Sequence, residues 1–160
     1  MFSITPDATS CSPRWAIGRA VSQSRIVTPG SRHLERGLDL DRGVERQRRD
    51  ADGKLVAKGQ LGGAVSIEEG QKAARACALN LLAQIKAALG DLDKVVRVVR
   101  LGGFVNSAPD FLDGPKVLNG ASDLMVAAFG DKGRHARTTV GVASLPADAA
   151  VEVEGIFEVS

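Results

Sequence analysis

The sequence predicts a domain of mixed helix and sheet, α+β or α/β, in which two helices cover one face of a sheet. Three observations carry this. Two apolar stripes of helical period, over residues 66–90 and 116–130, each end in glycine. Three runs rich in β-branched residues, 95–105, 137–143 and 151–159, have the length of strands. From Ser66 the order is helix, strand, helix, strand, strand, and helices that bury one apolar stripe must lie against a sheet. A chain of 160 residues is one domain's worth.

Residues 1–50 belong to a different compositional regime. They hold nine Arg and no Lys against six Asp and Glu, a net +3, whereas residues 51–160 hold twelve basic and thirteen acidic groups, a net −1. Pro6, Pro13 and Pro29 interrupt the segment, and no alternation of period 2 or 3.6 is sustained in it, so no element is drawn there. A Ser- and Arg-rich start with only Asp7 acidic before Glu35 would suit an organellar transit peptide, and the composition would also suit a disordered arm. A stretch read in another frame of a GC-rich gene would equally supply Arg, Ser, Pro and Gly without Lys.

From Ala51 the elements follow in order. Asp52-Gly53 is a tight-turn pair, and residues 54–58 form a short strand or an extended lead-in. Ser66-Ile67-Glu68-Glu69 has capping-box spacing: a hydroxyl for the first amides, and a carboxylate three residues on to reach back. Ala74, Ala78, Leu81, Leu82, Ile85, Ala88 and Leu89 then recur at helical spacing up to Gly90. Gly70, in the first turns, costs up to ~1 kcal/mol against Ala, which burial of the stripe outweighs. Gly102-Gly103 in the next strand marks a bulge or the close approach of another backbone.

Residues 106–115 are rich in turn formers. The second helix presents Val117, Leu118, Ala121, Leu124, Met125, Ala128 and Phe129 before Gly130 stops it. The last two strands are joined by a Leu145-Pro146 turn. In the final strand Glu152 and Glu154 share one side while Val151, Val153 and Phe157 take the other.

Composition excludes several functions. No apolar run approaches the ~18 residues of a membrane span, so a soluble protein is expected. A net charge of −1 over residues 51–160 does not suit a nucleic-acid surface. Two isolated histidines, His33 and His135, lack metal-ligand and Ser-His-Asp spacing, so no metal is expected. Gly62-Gly63 and Gly102-Gly103 lack the spacing of a dinucleotide or phosphate-binding loop, so no nucleotide cofactor is expected. Cys77 sits in the apolar helical pattern as a small core residue, and a disulfide with Cys11 is not expected.

An arginine shortly before a Leu-Pro turn, followed by an alternating strand carrying Glu-x-Glu, resembles the closing signature of the reactive-intermediate (imine) deaminase family. That family is also called RidA-type, YjgF or endoribonuclease L-PSP. The resemblance extends back through Asp52-Gly53-Lys54-Leu55-Val56, the helix from Ser66, and Phe104-Val105-Asn106 to Asp110-Phe111. It covers residues from about Asp50 to the C-terminus. Before that point family members carry two strands, the second ending in a Ser-Gly-Gln-like triplet that helps line the site. Here Glu45-Arg46-Gln47-Arg48-Arg49-Asp50 stands in its place, and Gly59-Gln60 comes too late, so the resemblance favours the reading of residues 1–50 as out of frame.

The resemblance implies a chorismate-mutase-like α+β fold, a homotrimer with sites at subunit interfaces, a cytoplasmic location, and no metal or organic cofactor. It implies hydrolysis of a reactive imine or enamine carboxylate, such as 2-aminoacrylate, to a 2-keto acid and ammonia. Arg137 takes the position of the arginine that holds the substrate carboxylate, a task suited to a bidentate guanidinium; Arg134 fits the spacing less well. Main-chain groups at Thr139 would orient the substrate, and Asn119 corresponds to a family asparagine with an imperfect spacing to Arg137. Glu152, with Glu154 in reserve, would accept a proton from the attacking water. Two other readings follow: a non-catalytic or defective ligand-binding member, because the opening hairpin is missing or altered, and a ribonuclease or translation inhibitor.

Overall fold

The computed structural model describes residues 54–160 and, by backbone alone, residues 25–27. The expectations placed on the rest of residues 1–53 fall outside the described residues. These are the transit peptide, the disordered arm, the out-of-frame stretch, the Asp52-Gly53 turn, Cys11 and His33.

Strand β1 (Arg25–Val27) stands where no element was drawn from the sequence. Three residues are too few for a periodicity to register; only the pairing partner reveals them as a strand. Residues 54–60 are the extended lead-in, held by single bridges such as Lys58 with Ala149.

Helix α1 (Ile67–Leu89) starts and stops where its caps dictate. The Ser66 Oγ accepts the Glu69 N–H at 3.2 Å, and the Glu69 carboxylate accepts the Ser66 N–H at 2.9 Å. These bonds from the Ser66 backbone and hydroxyl hold the Glu69 carboxyl below the usual glutamate range, against a small opposing effect of burial and with help from Lys72. At the far end Gly90 adopts φ 82° and donates its N–H to the Lys86 carbonyl. Ala73, Ala74, Cys77, Ala78, Leu81, Leu82 and Ile85 are buried.

Strand β2 (Val95–Asn106) leads through a loop to helix α2 (Gly114–Phe129), which buries Val117, Leu118, Ala121, Leu124 and Met125. Ala88 of α1 and Ala128 of α2, expected in the stripes, are exposed, while the neighbouring Leu89 and Phe129 are partly buried against the core. The helices cross with their backbones touching: a Cβ at Gly120 would collide with the Gln71 carbonyl, and Gln71 Nε2 donates to the Lys116 carbonyl at 2.9 Å. Strands β3 (Ala136–Val142) and β4 (Val151–Val159) complete the chain.

The sheet order is β1-β4-β2-β3. Strands β3 and β4, although joined by Leu145-Pro146, are therefore not neighbours. Strand β2 lies between them, parallel to β3 and antiparallel to β4. Helix α2 supplies the crossover that parallel neighbours require. No bulge occurs at Gly102-Gly103; the register shifts lie earlier, between Val95 and Arg97 and between Val98 and Arg100. What approaches the two glycines is side chain rather than backbone. A Cβ on Gly102 would meet Glu154 Oε1 at 2.5 Å, and one on Gly103 would meet Leu118 Cδ1 at 2.6 Å.

These two contacts orient the sheet. Leu101, Gly103 and Val105 face the helices, and partners in register share their face: Gly155, Val153 and Val151 on β4, Arg137, Thr139 and Gly141 on β3. Gly102 and Phe104 face away, with Glu154 and Glu152 on β4 and Thr138 and Val140 on β3. The core, including Phe157, Leu81, Leu101, Leu118 and Met125, fills the space between helices and sheet.

Candidate functional site

Strand β3 is the sheet's edge among the described residues, and it leaves a row of main-chain N–H and C=O groups at its outer side. Along its helix-facing side stand Arg137 and Thr139. Opposite them runs α2, where Asn119 and Ser122, three residues apart, occupy one face. Arg137 Nη1 donates to Asn119 Oδ1 at 2.7 Å and to Ser122 Oγ at 3.3 Å. The structure thus joins Arg137 to Asn119 despite their imperfect spacing in sequence. Thr139 lies beyond, its Cγ2 3.2 Å from where a Cβ on Gly114 would sit.

His135 enters the same cluster. Its Nδ1 lies 2.6 Å from the Gly133 carbonyl oxygen, and its Nε2 lies 3.1 Å from Ser122 Oγ. A carbonyl only accepts, so Nδ1 carries the proton. Sequence reasoning set His135 aside because neither metal ligands nor a Ser-His-Asp spacing surround it. The available signal was simpler: His135, Arg137 and Thr139 alternate, so all three fall on one side of the chain as it enters β3. Ser122 had a comparable signal in its spacing to Asn119.

The acceptors that hold Arg137 are neutral. Among the described residues it has no carboxylate partner, and its Nε and Nη2 groups make no hydrogen bond. With Nη1 occupied, the remaining Nε–Nη2 edge presents two parallel N–H groups, the fork that matches a carboxylate. An exposed guanidinium oriented by uncharged groups keeps its charge for an anion from elsewhere.

Glu152 and Glu154 lie on the other side of the sheet. Glu152 is only 4% exposed, and it and Asn106 are the buried polar residues among those described. Asn106 Nδ2 donates to Asp148 Oδ1 at 3.3 Å, while its own Oδ1 is buried without a partner among the described residues. Glu154 is partly buried over Gly102. Within one chain the structure therefore gathers Arg137, Asn119 and Thr139 and keeps Glu152 and Glu154 apart from them. Among the described residues no three His, Cys, Asp or Glu side chains come together as metal ligands would, and no helix is long and apolar enough to cross a membrane.

Comparison with known proteins gives consistent relatives. Residues 44–157 match the family model described as YjgF/chorismate mutase-like, putative endoribonuclease. Protein TCP17 of Trypanosoma cruzi is 50% identical over 125 residues, covering 78% of this chain and 77% of that protein. The crystal structure of Atu1372 from Agrobacterium tumefaciens, described as of unknown function, is 47% identical with a TM-score of 0.69, covering 71% of this chain and 73% of that one. A putative endoribonuclease from Shewanella oneidensis MR-1 is 38% identical with a TM-score of 0.63, covering 65% of this chain and 69% of that one. The matched region begins at residue 44, a few residues upstream of the Asp50 boundary read from the sequence.

Proposed function

This chain belongs to the YjgF/chorismate mutase-like family, and on that premise we propose that it hydrolyses a small imine or enamine carboxylate to a 2-keto acid and ammonia. The observation that carries the reading is Arg137, an arginine held by neutral acceptors with its fork-shaped edge open. The substrate carboxylate docks on that edge. An enamine first takes a proton on carbon to become the iminium. Water then adds to the iminium carbon and gives up a proton, the tetrahedral adduct expels ammonia, and the carbonyl of the keto acid remains.

The proton acceptor in this scheme is Glu152. It lies on the opposite sheet face from Arg137, so the pair serves one substrate only if Glu152 comes from a neighbouring chain. A homotrimer with sites between subunits meets that need. Its docking surfaces would be the edge of β3, open among the described residues, where Val140 is 42% exposed, and the sheet face away from the helices, where assembly would have to bring Glu152 out of its burial. Main-chain groups near Thr139 would orient the substrate from that edge, in a cytoplasmic enzyme without cofactor.

A second reading follows from the same geometry: a chain that does not assemble keeps the carboxylate fork without the proton acceptor, and binds its ligand without chemistry. The net charge of −1 over residues 51–160 weighs against ribonuclease action, whose signature would be binding that falls steeply with salt. The test is direct. An amino-acid oxidase releases a 2-imino acid in the cuvette, and its disappearance is followed with and without the protein. Faster hydrolysis that vanishes in Arg137→Ala supports the enzyme; saturable binding of 2-oxobutanoate without hydrolysis supports the binding module.

A further inference from the structure

A carboxylate fork is useful only if the long arginine side chain is held in one posture before the ligand arrives, since freezing it on binding costs affinity. Asn119 fixes one N–H. The second contact, Ser122 Oγ, comes from a rotatable hydroxyl that is a donor in some orientations and an acceptor in others. Something must decide which.

The Gly133 carbonyl does so through His135. When the ring carries one proton, on Nδ1, Nε2 is bare, and the only hydrogen then available to the 3.1 Å contact is that of the Ser122 hydroxyl. The hydroxyl proton is thereby turned toward His135, and its lone pairs toward Arg137. The chain of bonds runs from Arg137 Nη1–H to Ser122 Oγ–H to His135 Nε2, and from His135 Nδ1–H to the Gly133 carbonyl. Its far end is firm: Gly133 is buried in the turn Gly130–Gly133, packed so closely that a Cβ there would collide with the Met125 carbonyl of α2. Both ends of the network thus rest on the same helix. A carboxylate in place of Ser122 would hold Arg137 more tightly but would also occupy its charge.

We propose that Ser122 and His135 are positioning residues for Arg137, fixing the guanidinium so that its Nε–Nη2 edge is presented to the ligand. The proposal deepens the reading of Arg137 as the carboxylate anchor and rests on it for the ligand class. It does not rest on hydrolysis.

The full chain tests it in two ways. In the ligand-free protein, the guanidinium protons of Arg137 are observed by NMR; hindered rotation keeps its Nη signals distinct. Ser122→Ala and His135→Leu are expected to average those signals, while Ser122→Thr and His135→Gln, which restore a hydroxyl and an acceptor, keep them. Calorimetry with 2-oxobutanoate is expected to show binding about tenfold weaker in Ser122→Ala and His135→Leu, and recovered in the conservative variants. In turnover, KM would rise by a similar factor with kcat within about twofold. A folded Ser122→Ala protein with wild-type Arg137 signals and wild-type affinity overturns the proposal. Should no form of the protein hydrolyse imines while the Arg137 signals still respond to Ser122→Ala, positioning stands and the hydrolase reading falls.

Discussion

Arg137 and Glu152 stand on opposite faces of one sheet. Arg137 is in register with Leu101, which faces the helices, and Glu152 with Phe104, three residues further along β2 and therefore on the other face. One chain cannot bring both to a single small ligand without breaking the sheet. This relationship makes assembly a condition of the proposed chemistry.

Subunit complementation tests that condition. Arg137→Ala and Glu152→Gln chains are each expected to be inactive alone. Unfolded together and reassembled in equal amounts, they should recover activity, because about a quarter of random interfaces would pair an intact Arg137 with an intact Glu152. Recovery of none, from mixed oligomers verified by native mass spectrometry, would exclude a shared interfacial site.

Substitution of Arg137 separates charge from shape. Arg137→Ala is expected to weaken 2-oxobutanoate binding about a hundredfold, the worth of a charge-assisted pair of bonds, ~2–3 kcal/mol. Arg137→Lys keeps the charge and loses the fork, so it should recover only a minor part of that loss in calorimetry.

Asn119→Asp examines the neutrality of the anchor. The new carboxylate would replace a 2.7 Å bond from a neutral oxygen with an ion pair, making Arg137 more ordered and less available. Ligand affinity should fall by about tenfold even as the guanidinium signals sharpen. An affinity equal to wild type would show that the neutral partner is incidental.

The crossing of the helices is the point of greatest steric demand. Gly120→Ala places a methyl group against the Gln71 carbonyl, where backbone rather than side chain must yield. A loss of about 1–3 kcal/mol is expected in chemical denaturation, with the helices forced apart.

Acid should loosen the start of α1. Because the Glu69 carboxyl is depressed by its bonds to Ser66, its contribution to stability is complete above the ordinary glutamate value and is lost as pH falls through the depressed one. Amide exchange at residues 67–69 should accelerate over that window. In Glu69→Gln the same step should be absent, and the difference between the two proteins should shrink to nothing at the acid end.

Much of the fold was legible because its signals are local. The Ser66 capping box, the glycine stops at Gly90 and Gly130, and the alternation in residues 151–159 depend on neighbours a few residues apart, and each element begins and ends close to where they place it. The glycine pair at Gly102-Gly103 was misread for the opposite reason. A glycine announces that something comes close, but whether it is a bulge, a backbone, or the side chains of Glu154 and Leu118 depends on residues far away in sequence.

The sequence by itself determined which side chains share a face of each element, because helix and strand periods are fixed by backbone geometry. It also determined that a guanidinium and two carboxylates would lie near one end of the chain. Only the tertiary structure decided that β2 would separate β3 from β4, since strand order is set by long-range pairing that no local pattern encodes. The register of β4 against β2, Glu152 opposite Phe104, placed Glu152 on the far face. The strand order left Arg137 on an edge that is open among the described residues, beside α2, where Asn119 and Ser122 hold it with uncharged groups and His135 contacts Ser122.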